Sequence, residues 1–366
     1  MGSMIGEKVK LSVFGESHGT AIGCVLDGLP AGCPVDIDAV AAQMARRAPG
    51  KDATATPRRE SDAPRILSGL LDGRTTGAPL AMMIENENTR SADYADLARH
   101  PRPGHADYPG FVRYEGMNDI RGGGHFSGRL TAPLVFAGAI CRQILAEKGI
   151  AVGGHIASIG GVHDAPLDPV GVTAGQLNAL AGVPFSLVDP AIEDAMRQAV
   201  EAARAAGDSV GGVVEVAAVG LPAGWGDPMF GGVENRLAAL LFGVPAVKGV
   251  EFGDGFDLAA RRGSEANDPW RMDNGRVTAA SNHNGGILGG ITTGMPLIVR
   301  AAIKPTPSIA VEQDTVDLQT GENARLCVKG RHDPCIVPRA LPVIEAAVAV
   351  GLLDLAVGQT GVTGWS

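Results

Sequence analysis

Apolar and polar positions along this chain change period several times, and each change marks an element. Residues 9–14 alternate and predict a short strand; residues 21–26 predict a second, closed by the turn Leu29-Pro30-Ala31-Gly32. After Asp36 or Asp38 as the capping residue, Ala39, Val40 and Met44 fall on one helical face. That pattern ends at Arg46-Arg47, cations where the helix dipole favours them, and Pro49-Gly50 breaks it. Residues 66–71 and 79–84 predict two strands joined by a glycine-rich turn. Residues 131–148 are apolar around the whole circumference and predict a buried helix, with Thr131 as N-cap, Pro133 in the first turn and Gly149 past the end. Residues 151–188 read as mixed strands and loops. A further helix is predicted from Pro190 to Ala206, with Asp189 as N-cap and Ile192, Met196 and Val200 on its apolar face. Residues 296–303 alternate only weakly, the pattern of a strand buried on both faces. Residues 337–353 predict an apolar helix, with a frayed tail beyond Val357.

One pattern occurs twice. Residues 22–32 (IGCVLDGLPAG) and 210–224 (VGGVVEVAAVGLPAG) both run an apolar strand with an early glycine into Leu-Pro-Ala-Gly, and a helix follows each, over 233–242 in the second case. A duplicated αβ unit explains this, with halves near 9–150 and 207–355 in a single domain spanning 1–366; similar turn chemistry explains it as well. The initial Met-Gly-Ser-Met reads as a cloning scar ahead of a natural start at Met4.

Composition narrows the field. The chain has 366 residues and a formal net charge of −9, against general nucleic-acid binding. Its 52 glycines and 24 prolines show no collagen-like period and imply many tight turns. The 5 cysteines are widely spaced, without a CxxC pair, so neither a disulfide framework nor a metal site is expected. No signal peptide and no apolar run long enough to span a bilayer stand out, so a cytoplasmic, reduced protein with no membrane partner is expected.

Against this acidic background, residues 100–129 (HPRPGHADYPGFVRYEGMNDIRGGGHFSGR) concentrate Arg102, Arg113, Arg121 and Arg129 with His105 and His125. Gly122-Gly123-Gly124 suits neither helix nor strand, but lets backbone approach a ligand. Arginine forks suit phosphate and carboxylate, and histidine exchanges protons near neutral pH. An anionic, phosphorylated substrate handled by acid–base chemistry follows, with a solvated basic loop as the plainer explanation. His18 sits between glycines just past a predicted strand. Lys304-Pro305-Thr306-Pro307-Ser308 closes another with a cation and two hydroxyls, a natural phosphate site or an ordinary polar turn. The polar segment 51–60 carries Lys51, Arg58 and Arg59 and could close over an anion. Gly330-Arg331-His332-Asp333-Pro334-Cys335 is a last polar knot that a buried Arg–Asp pair would explain.

The motifs FGESHG (14–19), RRxPG (46–50), PRRES (57–61), RPGHADY (102–108), RGGG (121–124), GDSxGG (207–212), AVKGVEFGDGF (246–256), NGGILGGITTG (284–294), KPTPSI (304–309) and GRHDPC (330–335) occur in the order found in the chorismate synthase family, which the chain resembles over nearly its whole length. The resemblance implies an α+β fold, a β-α-β-α sandwich with an internal pseudo-twofold repeat. It implies a lyase that eliminates phosphate from 5-enolpyruvylshikimate 3-phosphate in a 1,4-anti sense, giving chorismate, on the shikimate route to aromatic amino acids. Reduced FMN is needed without net redox change. A homotetramer is implied. With no reductase domain appended, reduced flavin comes from an external, NADP-linked reductant.

The resemblance also assigns roles. His18 matches the histidine that protonates the leaving phosphate, His105 the one that protonates reduced flavin, and Asp333 the acid near flavin N5. Arg47, Arg102, Arg129 and Arg331 match arginines around the substrate. His125, Phe126, Ser127, Ala246, Gly289, Lys304, Pro305, Thr306, Pro307, Ser308 and Arg331 match flavin contacts. The chain departs from many relatives in having His125-Phe126-Ser127-Gly128-Arg129 where Arg-Ser-Ser-Ala-Arg is common, and Ala53 where an arginine is common. The second departure makes Lys51 or Arg58 the expected replacement charge at the substrate. Two other classes remain in view. An FMN-dependent oxidoreductase would share the flavin site, but no dinucleotide fingerprint is visible. A non-catalytic phosphate-binding module would need the arginines but not His18, His105 and Asp333 together.

Overall fold

In the computed structural model, which describes residues 2–48, 62–86, 96–328 and 333–361, two antiparallel sheets enclose a layer of helices. The segment 51–60, with Lys51, Ala53 and Arg58, and Arg331 lie outside the described residues. The first sheet contains β1 (Met4–Ile5), β2 (Lys10–Gly15), β3 (Ala21–Asp27), β4 (Arg65–Ser68) and β5 (Leu80–Glu85), in the order β1-β2-β3-β5-β4. The second contains β6 (Ala151–Ile159), β7 (Val162–His163), β8 (Gly212–Val219), β9 (Val247–Phe252) and β10 (Leu297–Ile303), in the order β9-β10-β8-β6-β7.

The major helices are α1 (Ile37–Arg47), α2 (Asp107–Arg113), α3 (Thr131–Ala146), α4 (Ala174–Ala181), α5 (Glu193–Ala205), α6 (Val233–Phe242) and α7 (Val337–Thr360). Between the sheets, α3 and α7 pack on each other most extensively, α1 packs on both, and α6 packs on α7. On the other face of the second sheet, Leu177 of α4 joins Leu167, Val172, Ala217 and Ile298 in a separate apolar cluster. The result is a β-α-β-α sandwich. The second sheet is therefore buried on both sides, and β10 is covered nearly throughout, as its weak alternation predicts. The first sheet alternates instead: Ile22, Cys24 and Leu26 of β3 and Leu80, Met82 and Ile84 of β5 turn toward the helices.

The duplication is visible in the topology. The run β2-β3-α1-β4-β5-α3 has the same connection order as β6-β8-α6-β9-β10-α7, and the strands lie in equivalent order, β2-β3-β5-β4 against β6-β8-β10-β9. The second copy thus begins at Ala151, ahead of the expected 207, because its first two strands are separated by α4 and α5.

Other expectations shift for local reasons. Thr131 is the first residue of α3 rather than its cap; its hydroxyl donates to the Gly128 carbonyl at 2.6 Å. The helix expected from Pro190 opens as a 3-10 turn over Pro190–Ile192, capped by Asp189, before α5 begins. In the stretch expected to be strands and loops, α4 is an added helix. Its signal was present as a capping box, Thr173 with Gln176. The last helix runs on to Thr360 instead of fraying at Val357. It is also long and apolar enough to cross a bilayer, contrary to the sequence expectation, and so is the stretch Gly128–Ala146. Burial accounts for the apolarity of α7: 94% of its most hydrophobic window is covered by the protein itself.

The contact between α3 and α7 depends on one missing methyl group. A Cβ on Gly138 would lie 2.3 Å from the Ala346 Cα, so the two backbones could not stay at this distance. Glu345, one residue earlier and fully buried, takes Arg46 of α1 at 2.5 Å, Arg142 of α3 at 3.1 Å and the Gly154 amide of β6 at 3.1 Å.

Gly138→Ala sets two effects against each other. Alanine favours a helix interior by about 1 kcal/mol over glycine, whereas overpacking costs typically about 1–3 kcal/mol, and a backbone-to-backbone clash cannot relax by a rotamer change. The expected outcome is net destabilisation of about 2 kcal/mol, read as a lower urea midpoint. A midpoint at or above the parent's would show that α3 and α7 can separate at no cost.

Candidate active site

The site is assembled on a loop that only glycine can make. Gly122, Gly123 and Gly124 have φ of 62°, 86° and 54°, three consecutive left-handed residues. Two histidines press against this loop. A Cβ on Gly122 would meet His18 Nε2 at 2.7 Å and the Ser17 hydroxyl at 2.8 Å, and one on Gly123 would meet His105 Nε2 at 3.2 Å. The Ser17 amide donates to the Gly124 carbonyl at 3.1 Å, which docks the turn carrying His18 onto the same loop. The two imidazoles, far apart in sequence, thus face neighbouring residues of one backbone segment.

His105 is oriented by a carboxylate. Its Nδ1 lies 2.6 Å from Asp107 Oδ1, so the proton belongs on Nδ1; Nε2 lies against Gly123 and 3.3 Å from Arg102 Nη2. Asp107 is buried and also receives Arg102, from Nε at 2.7 Å and from Nη2 at 2.8 Å. Burial alone would raise the Asp107 pKa, but the hydrogen bonds from Arg102 and His105 outweigh it and hold the carboxyl well below the usual carboxylate range. Arg102 also donates from Nη1 to the Ser308 hydroxyl at 3.2 Å. Lys304 donates from Nζ to the Gly104 carbonyl at 2.6 Å, and Pro307 packs by Gly104. Burial, and then the nearby Lys248, lower the Lys304 pKa. The Thr306 hydroxyl oxygen is buried without a hydrogen-bond partner among the described residues. Two cations in a partly dry place beside an unused buried hydroxyl suit a phosphate-bearing ligand.

A second group of buried arginines stands at the start of α3. Arg47 donates from Nη1 to Asp62 at 2.7 Å, from Nε to the Thr131 hydroxyl at 3.1 Å and from Nη2 to the Gly128 carbonyl at 3.2 Å. Arg129 pairs with the other Asp62 oxygen, and its Nε donates to Asn86 Oδ1 at 3.1 Å. The Asn86 amide in turn donates to the carbonyls of Glu16 and Gly19 and so ties the arginines to the turn bearing His18. Asp333 is ion-paired with Arg339, whose Nε donates to the Arg47 carbonyl at 2.9 Å. The pair is part-buried, and its arginine comes from α7 rather than from the 330–335 knot.

Of the residues marked in the sequence, His18, His105, Arg47, Arg102, Arg129, Asp333, Lys304 and Ser308 join this connected network. Ala246 borders it: held at φ 74°, it accepts the Lys304 amide at 2.9 Å. Ser127 supports Arg129 by accepting its amide at 3.3 Å, and Phe126 packs against Tyr114. His125 uses both ring nitrogens elsewhere, donating to the Gly15 carbonyl at 2.8 Å and accepting from the Ser3 hydroxyl at 2.7 Å. Gly289 turns a hairpin, Ile287–Leu288 with Ile291–Thr292, against the start of α6. Sequence reasoning missed Asp62, Asn86, Asp107 and Arg339. Asp107 carried a signal, two residues after His105 within RPGHADY; the others have none without tertiary structure.

Asp107→Asn removes a carboxylate held ionised by Arg102 and His105. Because the folded pKa is depressed, its contribution to stability is present above the unfolded value of about 3.9 and is lost as pH falls through the folded value, below the ordinary range. The variant should be less stable by about 3 kcal/mol at pH 7, with the deficit persisting to about pH 4 and shrinking only in stronger acid. Urea unfolding across that range checks this; a deficit already gone at about pH 5 would mean that Asp107 is not held ionised.

Comparison with known proteins agrees with the geometry. The sequence profile of the chorismate synthase family matches residues 9–357. The chain is 48% identical over 351 residues to a chorismate synthase of Thermococcus kodakarensis, covering 96% of each protein. It is 44% identical over 353 residues to one of Methanosarcina acetivorans, covering 96% of this chain and 95% of the relative. A crystal structure of chorismate synthase superposes with a TM-score of 0.77 at 28% identity, over 97% of this chain and 94% of that one. Fold, internal repeat and sequence agree along the length of the protein, and the chain belongs to the chorismate synthase family of lyases.

Proposed function

We propose that this protein converts 5-enolpyruvylshikimate 3-phosphate to chorismate by 1,4-anti-elimination of phosphate, with reduced FMN and no net redox change. The observation that carries the reading is the pair of imidazoles against Gly122 and Gly123, with the buried Arg102 and the buried pair Arg47 and Arg129 near them. Elimination moves negative charge onto the departing phosphate, and neutralising that charge by proton and cation lowers the barrier. His18 serves as the acid toward the leaving phosphate. Arg47 and Arg129 receive the substrate's anionic groups, with Arg102 beside His105. His105, oriented by Asp107 at Nδ1 and with Arg102 Nη2 3.3 Å from Nε2, is the group for proton exchange with the cofactor.

The flavin's phosphate suits Lys304, Thr306 and Ser308, where cation and hydroxyls already converge. Reduced FMN supplies electron density to the allylic system of the substrate, and the protein supplies orientation and a water-poor setting. A cytoplasmic homotetramer fed by an external flavin reductant completes the proposal. The exposed side chains of Phe230, Phe256, Trp270 and Met272 offer apolar surface for assembly.

His18→Ala and His105→Ala should each lower kcat by about a hundred- to ten-thousand-fold, the usual worth of general acid catalysis, with circular dichroism unchanged. Near-normal turnover of either variant would make that histidine structural. Phosphate release should require anaerobic reduced FMN; oxidised FMN should bind without supporting it. Steady release in air with oxidised flavin and no reductant would rule out the electron-donating role.

A further inference from the structure

We propose that Asp62 is a positioning residue for the reaction: it holds Arg47 and Arg129 side by side as one anion receptor for the substrate. The proposal rests on the reading of these arginines as substrate ligands. Asp62 is buried, and its two oxygens are divided between the two guanidiniums, Oδ2 to Arg47 Nη1 at 2.7 Å and Oδ1 to Arg129 Nη1. Bridged by one carboxylate, the arginines stand within a few atoms of each other in a dry place, where their mutual repulsion is screened weakly. Without the carboxylate, one side chain would have to turn away, and the receptor would be lost although both arginines remained. Each guanidinium is also held at a second point, Arg47 by Thr131 and Gly128 and Arg129 by Asn86. Asp62 therefore fixes the spacing between two groups that are already aimed. The backbone is committed to this placement, since Asp62 sits at φ 43°, in the left-handed region that side chains other than Asn and Asp rarely adopt.

The pair Asp62→Asn and Asp62→Glu tests this. Asparagine accepts the same backbone conformation and volume, but it offers a single acceptor oxygen and turns an amide N–H toward the other arginine. Glutamate keeps the charge, one methylene too long. In anaerobic steady-state assays with reduced FMN, Asp62→Asn should raise the KM for 5-enolpyruvylshikimate 3-phosphate by about tenfold or more and lower kcat as well, since the receptor both binds the substrate and takes charge from the departing phosphate. Asp62→Glu keeps the charge but strains the left-handed backbone, so it should also bind more weakly than the parent. Calorimetric titration with inorganic phosphate, which needs no turnover, should show affinity falling in Asp62→Asn, with circular dichroism unchanged. Unchanged KM and unchanged phosphate affinity in Asp62→Asn would overturn the proposal. Tighter phosphate binding would overturn it too, by making Asp62 a competitor for the site. If the parent bound phosphate but released none from the substrate, the functional reading would fail, while the titrations would still decide the role of Asp62.

Discussion

The close crossing of α3 and α7 at Gly138 is the constraint on which the rest of the structure depends. Each helix closes one copy of the repeated unit, and each begins at the site. Arg129 and Thr131 stand at the start of α3, and Asp333 and Arg339 at the start of α7. Bringing the helices into contact therefore brings together residues separated by most of the chain. The hydrogen bond from Arg339 to the carbonyl of Arg47, at the end of α1, belongs to the same convergence of helix termini.

The electrostatics of the site follow from that convergence. Buried arginines are costly unless paired, and here Arg47 and Arg129 share Asp62 while Arg102 is taken by Asp107. The carboxylates hold the guanidiniums in fixed directions before any ligand arrives, so less ordering remains to be done on binding. In a protein of net charge −9 the site is thus a local concentration of buried arginines, each held by a named acid. The histidines are placed by different means, His18 by close packing against a loop without side chains and His105 by its bond to Asp107.

Much of this was legible in the sequence because its causes are local. Period-2 and helical patterning marked the strands and central helices, since burial on one face or on all sides leaves that signature. The three glycines at 122–124 announced a backbone that only glycine adopts, and the motifs around His18 and His105 marked both histidines as candidates. The Leu-Pro-Ala-Gly repeat pointed to the duplication, which the matching strand orders of the two sheets display in full.

What only the tertiary structure decided depends on distance along the chain. Nothing near Asp62, Asn86 or Arg339 distinguishes them from ordinary surface polar residues, because their partners Arg129, Glu16 and Arg47 lie on other elements. The start of the second copy was hidden by the helices inserted between β6 and β8, and the apolarity of α7 could not by itself separate a membrane span from a core helix. Local sequence encodes period, turn chemistry and motif, which depend on neighbours a few residues away. Pairing of charges and burial of a helix depend on which elements pack together, and that is decided by the whole chain at once.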